Sequence, residues 1–336
     1  MSRPRRVAVV GVGSIGERHV RCFAATGRAE VVACEVNPDL RRAVADRYGL
    51  ARTYHTLDAA LADGIDAAVI ATPAHLHVQL AAAAIRAGVA VLVEKPLSTT
   101  PDGVADLCRA AVGRGVPVAV AYVYRVHPVL AAMRAAIRSG RFGEPVQVVA
   151  ACGQHFPLYR PAYREIYYGD RATGGGAVQD ALTHILNAGE WLVGPVSAVA
   201  ADIGHLVLDG VDVEDTAHVI ARHDAVMGCY SLNQHQAPNE VTITVVSRHG
   251  TARFESHANR WRWVVEPGGP WTDEPAPPLE RDTLFTAQAN AFLDTLDGRA
   301  EPLCSLVEGA QTLRVNLAVL AAADGRRWVD IPAPEE

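Results

Sequence analysis

The chain has 336 residues, 49% hydrophobic and 20% charged, which is enough apolar side chain for a full core and a length that suggests about two domains. Its formal charge of −6, with no long Lys/Arg run, offers no cationic surface for a nucleic-acid backbone. The opening MSRPRRVAVVGVGSIG is basic like a secretory leader, yet its apolar run is four residues long and ends in glycines. No apolar stretch reaches membrane-span length, and the six cysteines at 22, 34, 108, 152, 229 and 304 lack any CxxC or Cys/His metal spacing. These features predict a soluble, reduced, cytoplasmic protein with no bound metal and no nucleic-acid or membrane partner.

In chain order, short β-branched runs at 7–10, 31–34, 67–71, 89–93 and 116–120 alternate with segments of helical apolar spacing at 15–26, 38–48, 57–62, 75–87 and 101–114. Gly49, Gly64, Gly88 and Gly115 stand where a left-handed helix terminus favours glycine. This alternation predicts an α/β fold, a doubly wound parallel sheet over residues 1–123. After about residue 125, strand follows strand: 146–151, 196–208, 216–222, 226–232, 241–247, 251–255 and 261–265. The stretch EPGGPWTDEPAPP (266–278) reads as a loop before helices at 284–296 and 305–323 and a strand at 328–331. Residues 124–336 are therefore predicted to form an α+β domain with a large, open, mainly antiparallel sheet, for substrate binding and oligomerisation. Covering the open face of such a sheet predicts a homodimer or homotetramer.

The turn Gly11-Val-Gly-Ser-Ile-Gly16 follows a strand directly and opens a helix, the context that gives a G-x-G-x-x-G match its meaning. Gly11 permits the tight turn, Gly13 lets the backbone approach a pyrophosphate, and Gly16 lets helix and strand pack. The helix start at Ser14 and Ile15 offers free amides to the anion. Glu35, nineteen residues after Gly16, stands where a carboxylate can accept the ribose hydroxyls and repel a 2′-phosphate, which predicts NAD over NADP. Arg41 and Arg42, in the next helix, keep NADP as the minority reading. VAVLVEKPLSTT (89–100) ends a buried strand with Glu94-Lys95-Pro96 at the edge where ligands of this architecture bind. In GGGAVQDALTHILN (174–187), Asp180 and His184 are four apart and share one face of the predicted helix.

These pieces, GVGSIG (11–16), Glu35, ATPAHLH (71–77), EKP (94–96), YRVHP (124–128) and GGGxxxDxxxH, follow one another in the order and spacing of the Gfo/Idh/MocA oxidoreductases, which the chain resembles. The resemblance implies a Rossmann domain and a second domain, with the nicotinamide close to Lys95. It implies Thr72, Pro73 and His77 along the cofactor cleft, Glu94 and Lys95 by the nicotinamide ribose, and Lys95, Asp180 and His184 around the reacting carbon. Family members often carry Asp where this chain has Asn187, a candidate substrate contact.

Oxidising a secondary alcohol requires a base in reach of the hydroxyl as the hydride leaves the same carbon, and histidine suits that task near neutral pH. His184 is accordingly the expected base, with Lys95 and Asp180 positioning the hydroxyl. Tyr124, Arg125 and His155 join Asn187 as candidates for the substrate rim, where hydrogen-bonding side chains suit a neutral polyol. The leading expectation is an NAD-dependent dehydrogenase of a ring hydroxyl in a sugar, sugar derivative or cyclitol. A keto-sugar reductase and a non-catalytic sensor of the same fold are the alternatives.

Overall fold

Alanine and β-branched residues buried on both faces of short strands build the first sheet of the protein, in a computed structural model that describes residues 3–332. The elements run β1 (Arg5–Val10), α1 (Ser14–Ala25), β2 (Ala29–Cys34), α2 (Pro38–Tyr48), β3 (Thr53–Tyr54), α3 (Leu57–Ala62), β4 (Ala67–Ile70), α4 (His77–Arg86), β5 (Ala90–Val93), α5 (Val104–Arg114) and β6 (Val118–Val120). There follow α6 (Pro128–Arg138), β7 (Pro145–Gly153), α7 (Phe156–Tyr159), α8 (Thr183–Val193), β8 (Ala198–Gly204), β9 (Thr216–His223), β10 (Val226–Asn233) and β11 (Glu240–Ser247). The chain closes with β12 (Gly250–Glu255), β13 (Arg260–Val264), β14 (Thr272–Pro275), α9 (Thr283–Leu296), α10 (Leu306–Gly325) and β15 (Val329–Asp330).

Two compact units divide these elements. One holds the chain up to Val126 together with Glu280–Ala310; the other holds His127–Leu279 and the chain from Gln311 onward. In the first, six parallel strands lie in the order β3-β2-β1-β4-β5-β6, the doubly wound order that reverses beside β1. Val7, Val9, Val69 and Leu92 form its core with Val20 and Phe23 of α1. Ala289, Phe292 and Leu293 of α9 complete the same cluster, so a helix nearly 300 residues downstream of β1 seals the face of α1. Arg28 of this unit pairs with Asp294 at 2.8 Å and Asp297 at 3.1 Å, partly exposed contacts that orient α9 more than they stabilise it. The sequence boundary at 123/124 lies three residues before the first crossing at Val126/His127, and the return of 280–310 is absent from that reading.

The second unit is built on nine strands in the order β14-β13-β12-β11-β7-β10-β9-β8-β15, antiparallel except for the β7–β10 pair. Strict alternation along β9 buries Ala217, Val219 and Ala221 on one face and leaves His218, Ile220 and Arg222 on the other. Register carries that open face sideways through Ile220, Cys229, Val149 and Thr244.

Besides the short β3 and α7, which the sequence reading lacks, three further elements depart from it. α6 forms where no helix was expected; Pro128 supplies its first position, and Val129, Leu130, Met133 and Ile137 bury one side at helical spacing. β14 lies inside the stretch read as a loop, as an edge strand with little buried surface that forms by pairing with β13. The run 196–208 leaves the sheet after Gly204, and the amides of Leu206, Val207 and Leu208 turn onto the Asp215 carboxylate at 2.7–3.1 Å. Those bonds outweigh burial and hold the Asp215 carboxyl below its ordinary range.

Candidate active site

In the first unit the motif residues collect at the carboxyl ends of four adjacent strands: Gly11–Gly13 after β1, Glu35 after β2, Thr72 and Pro73 after β4, and Glu94-Lys95-Pro96 after β5. Gly16 is required by contact, since a Cβ there would lie 1.8 Å from the Gly11 carbonyl oxygen. Gly13 is the opposite case: it is exposed, nothing stands within 4 Å of where its Cβ would be, and it begins α1 without a side-chain cap. Ser14 beside it is exposed and Ile15 partly so. An uncapped helix start beneath open space fits a pyrophosphate. The Thr72 hydroxyl oxygen, buried with no hydrogen-bonding partner among the described residues, fits a polar ligand on the same edge. A cleft of about 610 Å³ opens elsewhere in this unit, at the start of β6 between Val116 and Arg299, and no motif residue lines it.

Glu35 is held before any ligand is considered. The Val12 amide donates to its Oε2 at 3.0 Å and the Asn37 amide to its Oε1 at 2.9 Å, so the carboxylate is fixed at the mouth of the fingerprint turn. Arg41 donates to the Glu35 main-chain oxygen at 2.5 Å. His77 is buried, with Nε2 at 2.8 Å from the Thr72 carbonyl oxygen and Nδ1 at 3.0 Å from that of Pro96. It thus joins the turn after β4 to the turn after β5 from behind. Burial pushes its imidazole below the ordinary value against the pull of those two carbonyls. Arg125 is buried, and its guanidinium donates to Glu308 at 2.7 Å within the same unit. Tyr124, next to it, is partly exposed.

In the second unit the glycine run has a local cause. Gly176 sits at φ +86°, and a Cβ on it would lie 2.4 Å from Glu214 Oε1. Buried Glu214 accepts from the Val178 amide at 3.1 Å and from Arg171 Nε at 2.7 Å, anchoring the first turn of the following helix. That turn, Val178–Leu182, is a π-helix, and α8 continues from Thr183. The local winding differs from the regular helix expected there, and single π-turns of this kind recur at functional sites. Asp180 and His184 are partly exposed, four residues apart, with Leu182 and Thr183 buried between them. Tyr167 donates its hydroxyl to Asp180 Oδ1 at 2.7 Å. Nothing in the sequence around Tyr167 singles it out.

Asn187 lies three residues beyond His184 on α8. It is fully buried and donates from Nδ2 to Thr312 Oγ1 of α10 at 2.9 Å, while Asn316 of α10 donates to Thr183 Oγ1 at 2.8 Å. Its amide therefore serves helix packing within this unit. His155 is exposed at the start of α7. Among the described residues no cluster of three or more His, Cys, Asp or Glu side chains is arranged to hold a metal ion, and no helix is long and apolar enough to cross a membrane.

One chemical signal in the sequence escaped the motif reading. Of the 31 Lys and Arg residues, 30 are Arg, and the remaining one is Lys95. Arginine cannot give up its proton in a protein and needs room for a planar fork, whereas lysine presents a compact amine. In a chain that uses Arg at every other cationic position, the lysine of EKP is the one side-chain amine.

A doubly wound sheet with an open pyrophosphate cradle, a carboxylate at the end of β2 and a lysine at the end of β5 defines a dinucleotide-dependent oxidoreductase. The profile of the oxidoreductase family with an NAD-binding Rossmann fold matches residues 5–122, and that of the GFO/IDH/MocA C-terminal domain matches residues 130–253. The chain belongs to the Gfo/Idh/MocA family of NAD(P)-dependent oxidoreductases. It is 24% identical to the levoglucosan dehydrogenase of Pseudarthrobacter phenanthrenivorans, over 97% of this chain and 98% of that one. It is 28% identical to the inositol 2-dehydrogenase of Rhizobium meliloti, over 95% and 94%. Among solved structures, the WlbA dehydrogenase of Bordetella pertussis, in complex with NADH and UDP-GlcNAcA, superposes with a TM-score of 0.85 at 28% identity, covering 99% of each chain. The family is thus one of sugar and cyclitol dehydrogenases, and the relatives stand at a distance that leaves the substrate of this chain to its own side chains.

Proposed function

We propose that this protein oxidises a ring secondary hydroxyl of a sugar, sugar derivative or cyclitol to a ketone with NAD. The observation that carries this reading is the chain's only lysine on the same sheet edge as the uncapped fingerprint helix. Bound NAD supplies the acceptor for the hydride. His184 takes the hydroxyl proton as the carbonyl forms, and returns it in the reverse direction. Lys95 favours the developing alkoxide as the proton leaves the hydroxyl. Asp180, held by Tyr167, accepts from the hydroxyl or from the imidazole and keeps the acceptor in one orientation. A neutral substrate suits this reading, because Arg125, a candidate for the substrate rim, is already engaged by Glu308. The test is NADH formation from purified protein on inositols, hexoses, anhydrosugars and nucleotide sugars. No turnover with any of them, in either direction, would overturn the reading.

NAD is the favoured cofactor because the Glu35 carboxylate, fixed by two main-chain amides, places a negative charge where a 2′-phosphate would have to go. Glu35→Ser is expected to shrink the ratio of NAD to NADP affinity about tenfold or more. An unchanged ratio in paired binding titrations would remove the ribose contact from the account.

The same reading covers the open sheet face with a second copy of the chain. Ile220, Met227 and Val149 are 51%, 47% and 37% exposed on that face, an apolar surface that association would bury. Ile220→Arg is expected to lower the mass measured by light scattering to that of one chain; a monomeric wild type would contradict this.

A further inference from the structure

Two buried histidines hold the residues on either side of Lys95. His77, from α4, meets the Pro96 carbonyl at 3.0 Å as described above. His19, from α1, is 1% exposed and stands with Nε2 at 2.6 Å from Glu94 Oε1; Glu94 is itself 7% exposed. The other carboxylate oxygen, Glu94 Oε2, accepts the Lys95 main-chain amide at 3.1 Å. The chain from α1 to Lys95 is therefore imidazole, carboxylate, amide, with no water-sized break among the three groups.

An apolar pair would hold α1 on β5 at lower cost. The His19 ring already packs among aromatic groups, its centroid 6.2 Å from that of Phe23 and 5.6 Å from that of Phe285. Placing a carboxylate against that wall costs desolvation which Leu against Leu would avoid. Burial alone would push the Glu94 carboxyl up, but the hydrogen bond with His19 and the neighbouring Lys95 outweigh it and leave it below the ordinary range, so the group is an anion at neutral pH. Burying an anion in this position makes sense where it fixes a geometry that apolar contact cannot. The geometry available to it is the main chain at Lys95, because Oε2 has its bond there.

We infer that His19 is a positioning residue for Lys95: by holding Glu94 Oε1 it presents Oε2 to the Lys95 amide and so sets the backbone from which the chain's one amine extends. The inference deepens the proposed function and rests on Lys95 acting at the substrate hydroxyl. Its first readout is independent of that reading.

Because Lys95 is the only lysine, protein grown with [α-15N]lysine has a single lysine amide resonance, and that resonance is the N–H which donates to Glu94. His19→Leu keeps an apolar side chain against the two phenyl rings and removes the donor. It is expected to shift the Lys95 amide resonance and to speed its exchange with solvent about tenfold or more. His19→Gln, which can return a nitrogen donor to the place of Nε2, is expected to restore both toward wild type. On whichever polyol the wild type turns over, His19→Leu should lower kcat about tenfold with the NAD dissociation constant unchanged, and His19→Gln should recover most of the loss. A Lys95 amide that is indifferent to His19→Leu, or that stays displaced in a folded His19→Gln, overturns the inference. An amide that responds as stated with kcat unmoved overturns it as well, because the tie then exists without positioning anything the reaction uses. If Lys95→Arg is also active, the failure lies with the role given to Lys95.

Discussion

His184→Ala is expected to lower kcat about 10²–10⁴-fold, roughly 3–5 kcal/mol of transition-state stabilisation, while leaving the NAD dissociation constant within about twofold of wild type. The separation follows from where the two functions reside. The fingerprint turn, Glu35 and the Thr72–Pro73 turn belong to the parallel-sheet unit, and His184 to the other, so its loss removes none of the groups that would hold the dinucleotide. His184 is partly exposed on α8 beside buried Ile185 and Leu186, and alanine is the best helix former, so the truncated protein should fold. The measurement is stopped-flow NADH formation alongside a cofactor titration. Turnover that survives at more than about a tenth of wild type would assign the base elsewhere, and Asp180 would be the first residue to examine.

Lys95→Arg is expected to cost about 10²-fold or more in kcat/KM even though it preserves the charge. If the position required only a cation, this chain, which meets every other cationic need with Arg, would be expected to carry Arg there too. The amine differs in three respects: it is compact, its donors rotate, and it can exchange a proton. A guanidinium at the end of β5 would need more room next to Glu94 and Pro96, both buried. Activity within a few-fold of wild type would reduce Lys95 to a point charge and remove the special status given to it. The same variant supplies the control for the His19 experiment, because the two outcomes vary independently.

The legible parts of the sequence were those whose physics is local. Of the fingerprint glycines, Gly16 is required by a contact within a single strand-turn-helix, the Gly11 carbonyl, so the sequence states that requirement in full, whereas Gly11 meets Ala71 of the distant turn after β4 and Gly13 meets nothing within 4 Å. The alternating burial of β9, β10 and β11 is equally local, since a period of two and one buried face write themselves into the residue order. Asp180 and His184 are singled out by spacing and each is partly exposed, although the turn that carries Asp180 is wound as a π-helix. Arg125, Asn187 and His77 were found as polar residues inside motifs, and the structure gives each a protein partner: Glu308, Thr312, and the two carbonyls of Thr72 and Pro96. Those partners are between 5 and about 180 residues away, and no spacing rule connects most of them.

By itself, then, the sequence determined the class of the first sheet, the dinucleotide turn, the strand-rich character of the second half and the family. The first three follow from short-range patterns of backbone freedom and hydrophobic period, and the family from the resemblance of the motifs in their order. Tertiary structure alone decided that 280–310 packs against α1, that Tyr167 holds Asp180, that Asn187 faces α10, and that His19 reaches Glu94. These depend on which polar group finds a partner when distant segments are buried together, and burial makes that choice only once the chain has folded.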